Sequence, residues 1–112
     1  MAYDTTLADR ATDFFTSKRV SFYTKRMFGG LCYMVNEKMC IGVMSDRLML
    51  RLGTEIAEAV ADEEGVLPMD FTGRPMPGFI YVTAEALDAE AALRVWLQRA
   101  LDYNPHAKAS KK

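Results

Sequence analysis

The sequence predicts an α+β fold in which helices cover one face of an antiparallel sheet. Apolar residues recur with helical spacing near both ends of the chain, and short apolar runs separated by polar pairs fill residues 31–52. Glycine and proline interrupt the pattern between residues 65 and 78. The predicted order is α-β-β-β-α-β-β-α, which gives a five-stranded sheet. Helices packed against one face of that sheet form a two-layer domain.

The first helix is predicted close to the N-terminus. Its apolar face consists of Leu7, Ala11, Phe14 and Phe15. Asp4, Thr5 or Thr6 can cap its first turn. Residues 20–23 either extend this helix or begin a strand, and the sequence leaves that boundary open.

A glycine pair, Gly29-Gly30, precedes the first apolar run. Glycine lacks a Cβ atom, so it accepts positive φ values and a close approach of other backbone atoms. We therefore predict a bend at this pair that leads into the first strand. A valine at position 30 is expected to prevent folding, because its side chain would collide at the bend.

Three antiparallel strands are predicted from the apolar runs 31–35, 39–44 and 48–52, joined by tight turns at Asn36-Glu37 and Asp46-Arg47. This register fixes which side chains share a face. The predicted core face carries Cys32, Met34, Met39, Ile41, Val43, Leu48, Leu50 and Leu52. The predicted second face carries Leu31, Tyr33, Cys40, Gly42, Met44, Arg47, Met49 and Arg51. Cys32 and Cys40 then lie on opposite faces, which forbids a disulfide between them.

A second helix is predicted from Thr54 to about Glu64, where Gly65 stops it. Residues 66–71 are predicted to be extended, followed by a turn at residues 72–75 that contains Gly73. An irregularity at Pro77-Gly78 precedes a strand at residues 79–82.

The last helix is predicted to follow a cap at Thr83 or Asp88. Its apolar stripe consists of Leu93, Trp96, Leu97, Ala100 and Leu101. Trp96 is expected to pack on the sheet. Asn104-Pro105 ends the helix, because proline cannot continue it.

Composition limits the domain count and the compartment. A chain of 112 residues with 50% hydrophobic residues can bury one core without disulfides or metals. We predict a single domain over residues 1–104 and a basic, disordered tail over residues 105–112. No apolar run approaches the roughly 18 residues of a membrane span, so we expect a cytoplasmic protein with no membrane partner.

Catalytic and metal chemistry are not predicted. The sequence contains two cysteines and one histidine, and His106 lies in the polar tail. A zinc site would need more histidines beside the cysteines, and a Cys-His pair would have to recruit its histidine from the tail after Pro105. We expect a protein that is not an enzyme, with no catalytic residue, no metal site and no cofactor.

The methionines could suggest a site for a soft metal. Five of them recur along the predicted strands, namely Met27, Met34, Met39, Met44 and Met49. Alternation along the strands is predicted to divide them between the two faces of the sheet. Core packing is therefore the interpretation that we prefer.

Several blocks of the chain resemble the TfoX N-terminal domain family. They are residues 25–30 (Lys-Arg-Met-Phe-Gly-Gly), the hairpin around Asn36, Asp46 with residues 48–51, Phe71, Gly73-Arg74-Pro75-Met76, Gly78-Phe79 and Trp96. The resemblance spans roughly residues 8–103, about one complete domain. It implies the same order of helices and strands, in an architecture similar to secretion-chaperone-like domains, which often pair as dimers.

The family takes its name from regulators of natural competence, in which this domain is joined to a C-terminal helical domain. Because the sequence ends at Lys112, we expect a stand-alone N-terminal domain. Regulatory activity of the two-domain proteins is not assigned to it, and the resemblance implies no catalytic residue.

The function that we predict first is a non-enzymatic interaction or regulatory module that forms a homodimer, with an unknown protein partner left open. The candidate interface consists of Arg26, Phe28, Leu31, Tyr33, Met44, Arg47, Met49, Arg51 and Arg74. Several of these apolar residues would be exposed on the second face of an isolated domain. Alternatively, loops or the first helix cover that face. The sequence does not decide between an exposed and a covered face.

Two other functions are weighed against the first. A nucleic-acid contact would use Lys18, Arg19, Lys25, Arg26, Arg47, Arg51 and Arg74, with Tyr23 or Phe28 stacking on bases. A net charge of -1 disfavours it. A small-ligand binder would use Cys32 or Cys40 as a thiol, with an arginine (Arg26, Arg51 or Arg74) holding an anion, but no pattern supplies a neighbouring base.

Overall fold

Three α-helices and six strands follow one another in the part of the chain that is described. The structure is a computed structural model that describes residues 3–27, 29–71 and 74–107, and for residues 70, 71, 74 and 75 it describes the backbone only. The elements are α1 (Thr5–Ser17), β1 (Phe22–Met27), β2 (Gly30–Val35), β3 (Lys38–Val43), β4 (Arg47–Arg51), α2 (Thr54–Ala59), β5 (Val66–Phe71), β6 (Arg74–Thr83) and α3 (Glu90–Tyr103). Short 3₁₀ helices follow β6 at Ala84–Leu87 and α3 at Asn104–His106.

The strands form one antiparallel sheet in the order β1-β2-β3-β4-β6-β5. The predicted α+β class with an antiparallel sheet and helices is confirmed. The predicted number of five strands is wrong, because β1 was not recognised as a strand. Most of its residues are exposed, and Lys25 and Arg26 interrupt any apolar alternation. An edge strand that buries so little carries almost no periodic signal.

Helix α1 begins at a side-chain cap. The Asp4 carboxylate accepts a hydrogen bond of 3.1 Å from the backbone N–H of Leu7. This bond satisfies one of the free N–H groups of the first turn. Asp4 is therefore the N-cap among the three predicted candidates. Arg19, which follows the C-cap residue Lys18, has a φ of 59°.

The β2–β3 hairpin follows the predicted register near its turn and departs from it further along. Met34 pairs with Met39 as predicted, whereas Tyr33 pairs with Ile41, which leaves Cys40 as an extra residue on β3. Such a bulge shifts all later pairs by one position, and a shift of one residue exchanges the faces of a strand. Cys32 therefore pairs with Gly42 instead of Ile41.

The β3–β4 turn lies one residue earlier than predicted. Val43 pairs with Leu48, and the backbone N–H of Met44 donates to the carbonyl oxygen of Arg47 at 2.9 Å, so Ser45-Asp46 forms the turn. Moving the turn by one residue changes the pairing partners by two positions. Because the side-chain period is two, the predicted faces of β3 and β4 are unchanged relative to each other.

The two faces of the sheet have separate cores. The helix face packs against α1 and α3, and its sheet residues include Tyr33, Val35, Cys40, Ile41, Val43, Leu48, Leu50 and Leu52. The methionine face is defined here by its buried residues Cys32, Met34, Met39, Met44, Met49 and Met69. The predicted core assignment was right for β4 and for the end of β3. It was wrong for β2, for Met39 and for Cys40, because the bulge exchanges the faces at that point.

Helix α2 is shorter than predicted. It ends at Ala59 instead of about Glu64, and Gly65 then turns the chain into β5 with a φ of 84°. Acidic residues occupy positions 62–64, where a longer helix would place its negative C-terminal dipole. Residues of this charge disfavour a helix that continues through positions 62–64.

The C-terminal part of the fold begins with the long strand β6. Gly78 interrupts it with a φ of 86°, at the predicted irregularity. Neither Thr83 nor Asp88 caps α3, since the chain first makes a 3₁₀ turn and α3 follows Ala89. Among the described residues no helix combines the length and the apolar character that crossing a membrane requires.

Contacts with the sheet extend to Asn104, the last residue of the predicted domain. Asn104 is buried and its side-chain amide donates to the carbonyl oxygen of Val35 at 3.1 Å. The side-chain oxygen of Asn104 accepts a bond of 2.8 Å from Asn36, and Ala107 is buried as well. The remainder of the predicted tail, residues 108–112, lies outside the described residues.

Candidate functional site

The outer edge of the sheet at β1 is the candidate functional site. β1 pairs with β2 on one side and is the first strand of the sheet order, so no other described strand lies against its second side. Four of its six residues, 23–26, are exposed. Unpaired backbone N–H and C=O groups on such an edge can form hydrogen bonds with another strand.

A tight hairpin holds β1 against β2. Met27 pairs with Gly30, so a tight turn joins the two strands, and Gly29 has a φ of 77° within it. The predicted bend at Gly29-Gly30 is thus the turn of a hairpin between two strands. A side-chain carbon at Gly30 would lie 2.5 Å from both the Val43 carbonyl oxygen and the Met44 sulfur. Gly29 therefore permits the turn and Gly30 permits the close packing beside it.

The hairpin determines which backbone groups of β1 point outward. In a two-residue hairpin the closing pair is hydrogen-bonded, and bonded and non-bonded pairs then alternate along the strands. Met27, Lys25 and Tyr23 therefore bond to β2. The N–H and C=O groups of Phe22, Thr24 and Arg26 point away from the sheet.

The side chains of β1 divide between the two faces. Phe22 lies on the helix face, where its ring centroid is 5.5 Å from that of Phe15. Tyr23 lies on the methionine face, since it pairs with Met34, and its hydroxyl donates to Glu37 at 3.1 Å. This hydrogen bond to a carboxylate raises the pKa of Tyr23. The guanidinium of Arg26 lies 5.9 Å from the ring centroid of Tyr3.

The opposite edge of the sheet differs from β1. Strand β5 contains Pro68, which lacks a backbone N–H, and its pairing with β6 is irregular between Pro68 and Asp70. Proline and irregular pairing are features that protect edge strands from further pairing. The two edges are therefore not equivalent, and β1 is the more regular of them.

Three residues of the predicted interface are buried in the single chain. Tyr33 is 1% exposed and lies on the helix face, so its predicted place on the second face is wrong. Its hydroxyl is within 2.8 Å of the Ala8 carbonyl oxygen, to which it donates, and 2.9 Å from the Thr12 hydroxyl. Met44 and Met49 do lie on the second face, but both are buried. The exposed apolar area expected at these residues is absent.

The other predicted interface residues are spread over the domain. Leu31 is half-buried against the helix-face core, and Arg26 pairs with it on β1. Arg47 and Arg51 share the face of Met49, where their guanidinium groups lie 4.9 Å and 5.6 Å from the ring centroids of Tyr81 and Phe79. Phe28 and Gly73 lie outside the described residues, as does the side chain of Arg74.

Trp96 and Gly78 are the other described residues for which a structural role was predicted. Trp96 is buried in the helix-face core, and the guanidinium of Arg99 covers its ring at 4.5 Å. A side-chain carbon at Gly78 would lie 3.2 Å from the backbone of Gly53, so these two backbone segments pack closely. No local residue pattern predicts this contact between distant segments.

The basic residues considered for nucleic acid do not share one surface. Lys25 and Arg47 lie on the methionine face, Arg26 lies on the helix face, and Lys18 lies at the end of α1 against Phe14. Arg47 is also paired with Asp46 at 2.9 Å, and this guanidinium lowers the pKa of the carboxyl group. The described basic side chains thus lie on both faces of the sheet and at the end of α1, instead of forming one patch for phosphate binding.

The two thiols are buried on opposite faces, as predicted, although each lies on the face predicted for the other. Burial raises the pKa of Cys32 to about 11 and that of Cys40 to about 12. An activated cysteine needs a lowered pKa, so both shifts run in the wrong direction for a nucleophile. No group of three His, Cys, Asp or Glu side chains suitable for a metal occurs within the described ranges.

The comparisons with known proteins identify a family. A family model described as the TfoX N-terminal domain matches residues 16–103. The chain belongs to the TfoX N-terminal domain family. The matched region begins near the end of α1 and includes every strand of the sheet together with α3. No curated protein and no solved structure matches the chain.

Proposed function

We propose that this member of the TfoX N-terminal domain family is a non-enzymatic interaction module that works as a homodimer, with β1 of each copy paired across a two-fold axis. The observation that supports this proposal is the regular outer edge of β1, against which no other described strand lies. The opposite edge carries Pro68 and an irregular register, so it is the poorer template for a second strand.

Symmetry restricts how two copies of β1 can pair. A two-fold axis perpendicular to the sheet keeps both helix layers on the same side and makes the strands antiparallel. Residues directly opposite each other must then point to the same face. The outward N–H and C=O groups of Phe22, Thr24 and Arg26 must also meet those of the second copy.

Thr24 facing Thr24 of the second copy satisfies both conditions. This register also places Phe22 opposite Arg26, so that about six backbone hydrogen bonds join the two strands. On the methionine face, Tyr23 then lies opposite Lys25. Both aromatic residues thus face a cation, and cation–π pairs of this kind are favourable.

A shift of the register in one direction is unfavourable. Moving the axis by one residue to Lys25 would place the two Lys25 ammonium groups directly opposite each other. It would also reduce the number of backbone hydrogen bonds to about four, because only Thr24 and Arg26 would still find partners. Charge and hydrogen bonding therefore both favour the Thr24-centred pairing.

The regulatory role implied by the resemblance would in this case depend on contacts between proteins. Both thiols have raised pKa values, which argues against covalent chemistry at either cysteine. A paired sheet would present two copies of the same surface to a further partner. No specific observation favours nucleic acid as that partner.

The proposal is tested by sedimentation equilibrium of the wild-type chain, a Thr24→Pro variant and a Thr24→Val control. Proline removes the outward N–H of residue 24 in each copy, and with it two hydrogen bonds worth about 1 kcal/mol each. We expect dimer dissociation to become roughly 30-fold easier in Thr24→Pro, and more if the ring separates the strands. Thr24→Val keeps the N–H and should dimerise like the wild type.

Two results would contradict the proposal. One is a wild-type chain that stays monomeric up to millimolar concentration. The other is a dimer whose dissociation constant is the same in Thr24→Pro, which would place the interface elsewhere. Thermal unfolding of the dilute variants checks that the monomer fold persists, as expected because the N–H of Thr24 does not bond to β2.

A further inference from the structure

The methionines of this chain are concentrated on one face of the sheet. The sequence contains eight methionines, and the seven that follow Met1 all belong to the methionine face or pack against it. They are Met27, Met34, Met39, Met44, Met49, Met69 and Met76. The prediction that strand alternation divides them between the faces is wrong, because the bulge at Cys40 places Met34 and Met39 on the same face as Met49.

The two cores have different compositions. Within the described residues, the buried members of the methionine face are five methionines and Cys32, with no leucine, isoleucine or valine. The helix-face core contains many of those aliphatic residues and no methionine. Packing alone does not explain this separation, because leucine and isoleucine fill a core with less loss of side-chain entropy and with better-defined rotamers.

Three of these side chains converge over Gly42. The Cys32 sulfur and the terminal methyl carbons of Met44 and Met49 all lie within 3.5 Å of the point that a Cβ atom of Gly42 would occupy. On β2, the Met44 sulfur lies 2.5 Å from the corresponding point of Gly30. The absence of a side chain at the two glycines lets the thioether groups pack directly on the strand backbones. Methionine side chains are flexible enough to turn their sulfur atoms toward one centre.

We propose that this cluster binds one monovalent soft cation, Cu⁺, between the Cys32 sulfur and the thioether sulfurs of Met44 and Met49. Thiolate and thioether are the ligands that Cu⁺ prefers, and thioether sulfur is a poor ligand for hard cations such as Mg²⁺. Cu⁺ displaces the Cys32 proton to solvent and keeps its oxidation state, so binding needs no oxidant or reductant. The half-buried Met27 and Met76 at the margin of the cluster provide further thioether sulfur.

The second cysteine provides a matched control for the test. Cys40 is as buried as Cys32, but it lies in the helix-face core, away from the methionines. A substitution at either position removes one buried thiol and leaves a cavity of similar size. Only Cys32→Ala removes a sulfur from the cluster.

The test uses reduced, oxygen-free protein carrying ¹³C-methyl methionine. Ag⁺ serves as a probe without redox chemistry, and Cu⁺ is titrated against a chromogenic Cu⁺ chelator. We expect one ion per chain and shifts in the methyl resonances of Met44 and Met49. Binding should weaken at least tenfold in Cys32→Ala and in a Met44→Leu/Met49→Leu double variant, and it should be unchanged in Cys40→Ala.

Three results would overturn the proposal. They are the absence of binding by the wild type, methyl resonances of Met44 and Met49 that do not move when the ion binds, and equal weakening by Cys32→Ala and Cys40→Ala. The methyl shifts are measured on the wild-type protein, so the proposal can fail even if a variant does not fold. None of these measurements depends on the oligomeric state.

Discussion

Gly30 offers a test of how closely β2 and β3 pack beside the β1–β2 hairpin. An added Cβ atom would lie 2.5 Å from the Val43 carbonyl oxygen and 2.5 Å from the Met44 sulfur. The methionine side chain can move aside, whereas the carbonyl belongs to the backbone of β3. Relief of the clash therefore requires the two strands to separate at this end.

The expected cost follows from that contact. Overpacking of a core costs about 1–3 kcal/mol, and a contact with backbone should lie at the upper end, so we expect Gly30→Ala to lose about 3 kcal/mol. Gly30→Val adds two methyl groups and should lose more, which approaches the total stability of a small domain. Gly29→Ala is the control: nothing lies within 4 Å of its added carbon, and only the φ of 77° costs about 1–2 kcal/mol.

Urea unfolding of the four proteins at a dilute, fixed concentration measures this order of stability. The expected order is wild type, Gly29→Ala, Gly30→Ala and Gly30→Val, from most to least stable. Open space at residue 30 would reverse the sign of the Gly30→Ala effect. Alanine and valine favour an extended strand more than glycine does, so Gly30→Ala would stabilise the protein if the space were open. A Gly30→Ala variant as stable as the wild type would refute the close packing.

Two further predictions concern buried polar and titratable groups. Tyr33→Phe removes the hydroxyl that is hydrogen-bonded to Ala8 and Thr12, and should lower the free energy of unfolding by about 1–3 kcal/mol. Tyr23→Phe, at an exposed position, is the control and should change this free energy little. Equal losses in the two variants would contradict the role of the buried hydroxyl. The pKa of Cys40 rises from 9.0 to about 12 on folding, so its contribution to stability is complete below pH 9 and is lost as the pH rises toward 12. Urea unfolding in reductant measures the free energy of unfolding as a function of pH. Above pH 9 this free energy should fall by about 1.4 kcal/mol per pH unit more in the wild type than in Cys40→Ala. Parallel pH dependences of the two proteins would exclude the raised pKa of Cys40.

The sequence predicted the elements that bury an apolar stripe. Helices α1 and α3 were recognised because each repeats apolar residues at helical spacing, and β2, β3 and β4 were recognised from short apolar runs between turn residues. Strand β1 was missed for the same reason. It lies at the edge, buries little and contains Lys25 and Arg26, so local hydrophobic pattern does not reveal it.

The candidate edge therefore could not be predicted as a site. The sequence contributed Arg26, which lies on β1. Three of the five apolar residues that it proposed for the interface, Tyr33, Met44 and Met49, are buried in the single chain. Burial depends on what the rest of the chain places over each residue. A list of apolar residues on one strand face does not contain that information.

The sequence by itself determined the α+β class, most of the elements and the resemblance to the TfoX N-terminal domain family. Those features depend on local periodicity and on short blocks of residues. Only the tertiary structure decided which face of β2 meets the helices, because one extra residue at Cys40 exchanges the faces and no local pattern marks a bulge. That single residue places Tyr33 against α1 and brings Cys32 and the methionines together on the other side of the sheet.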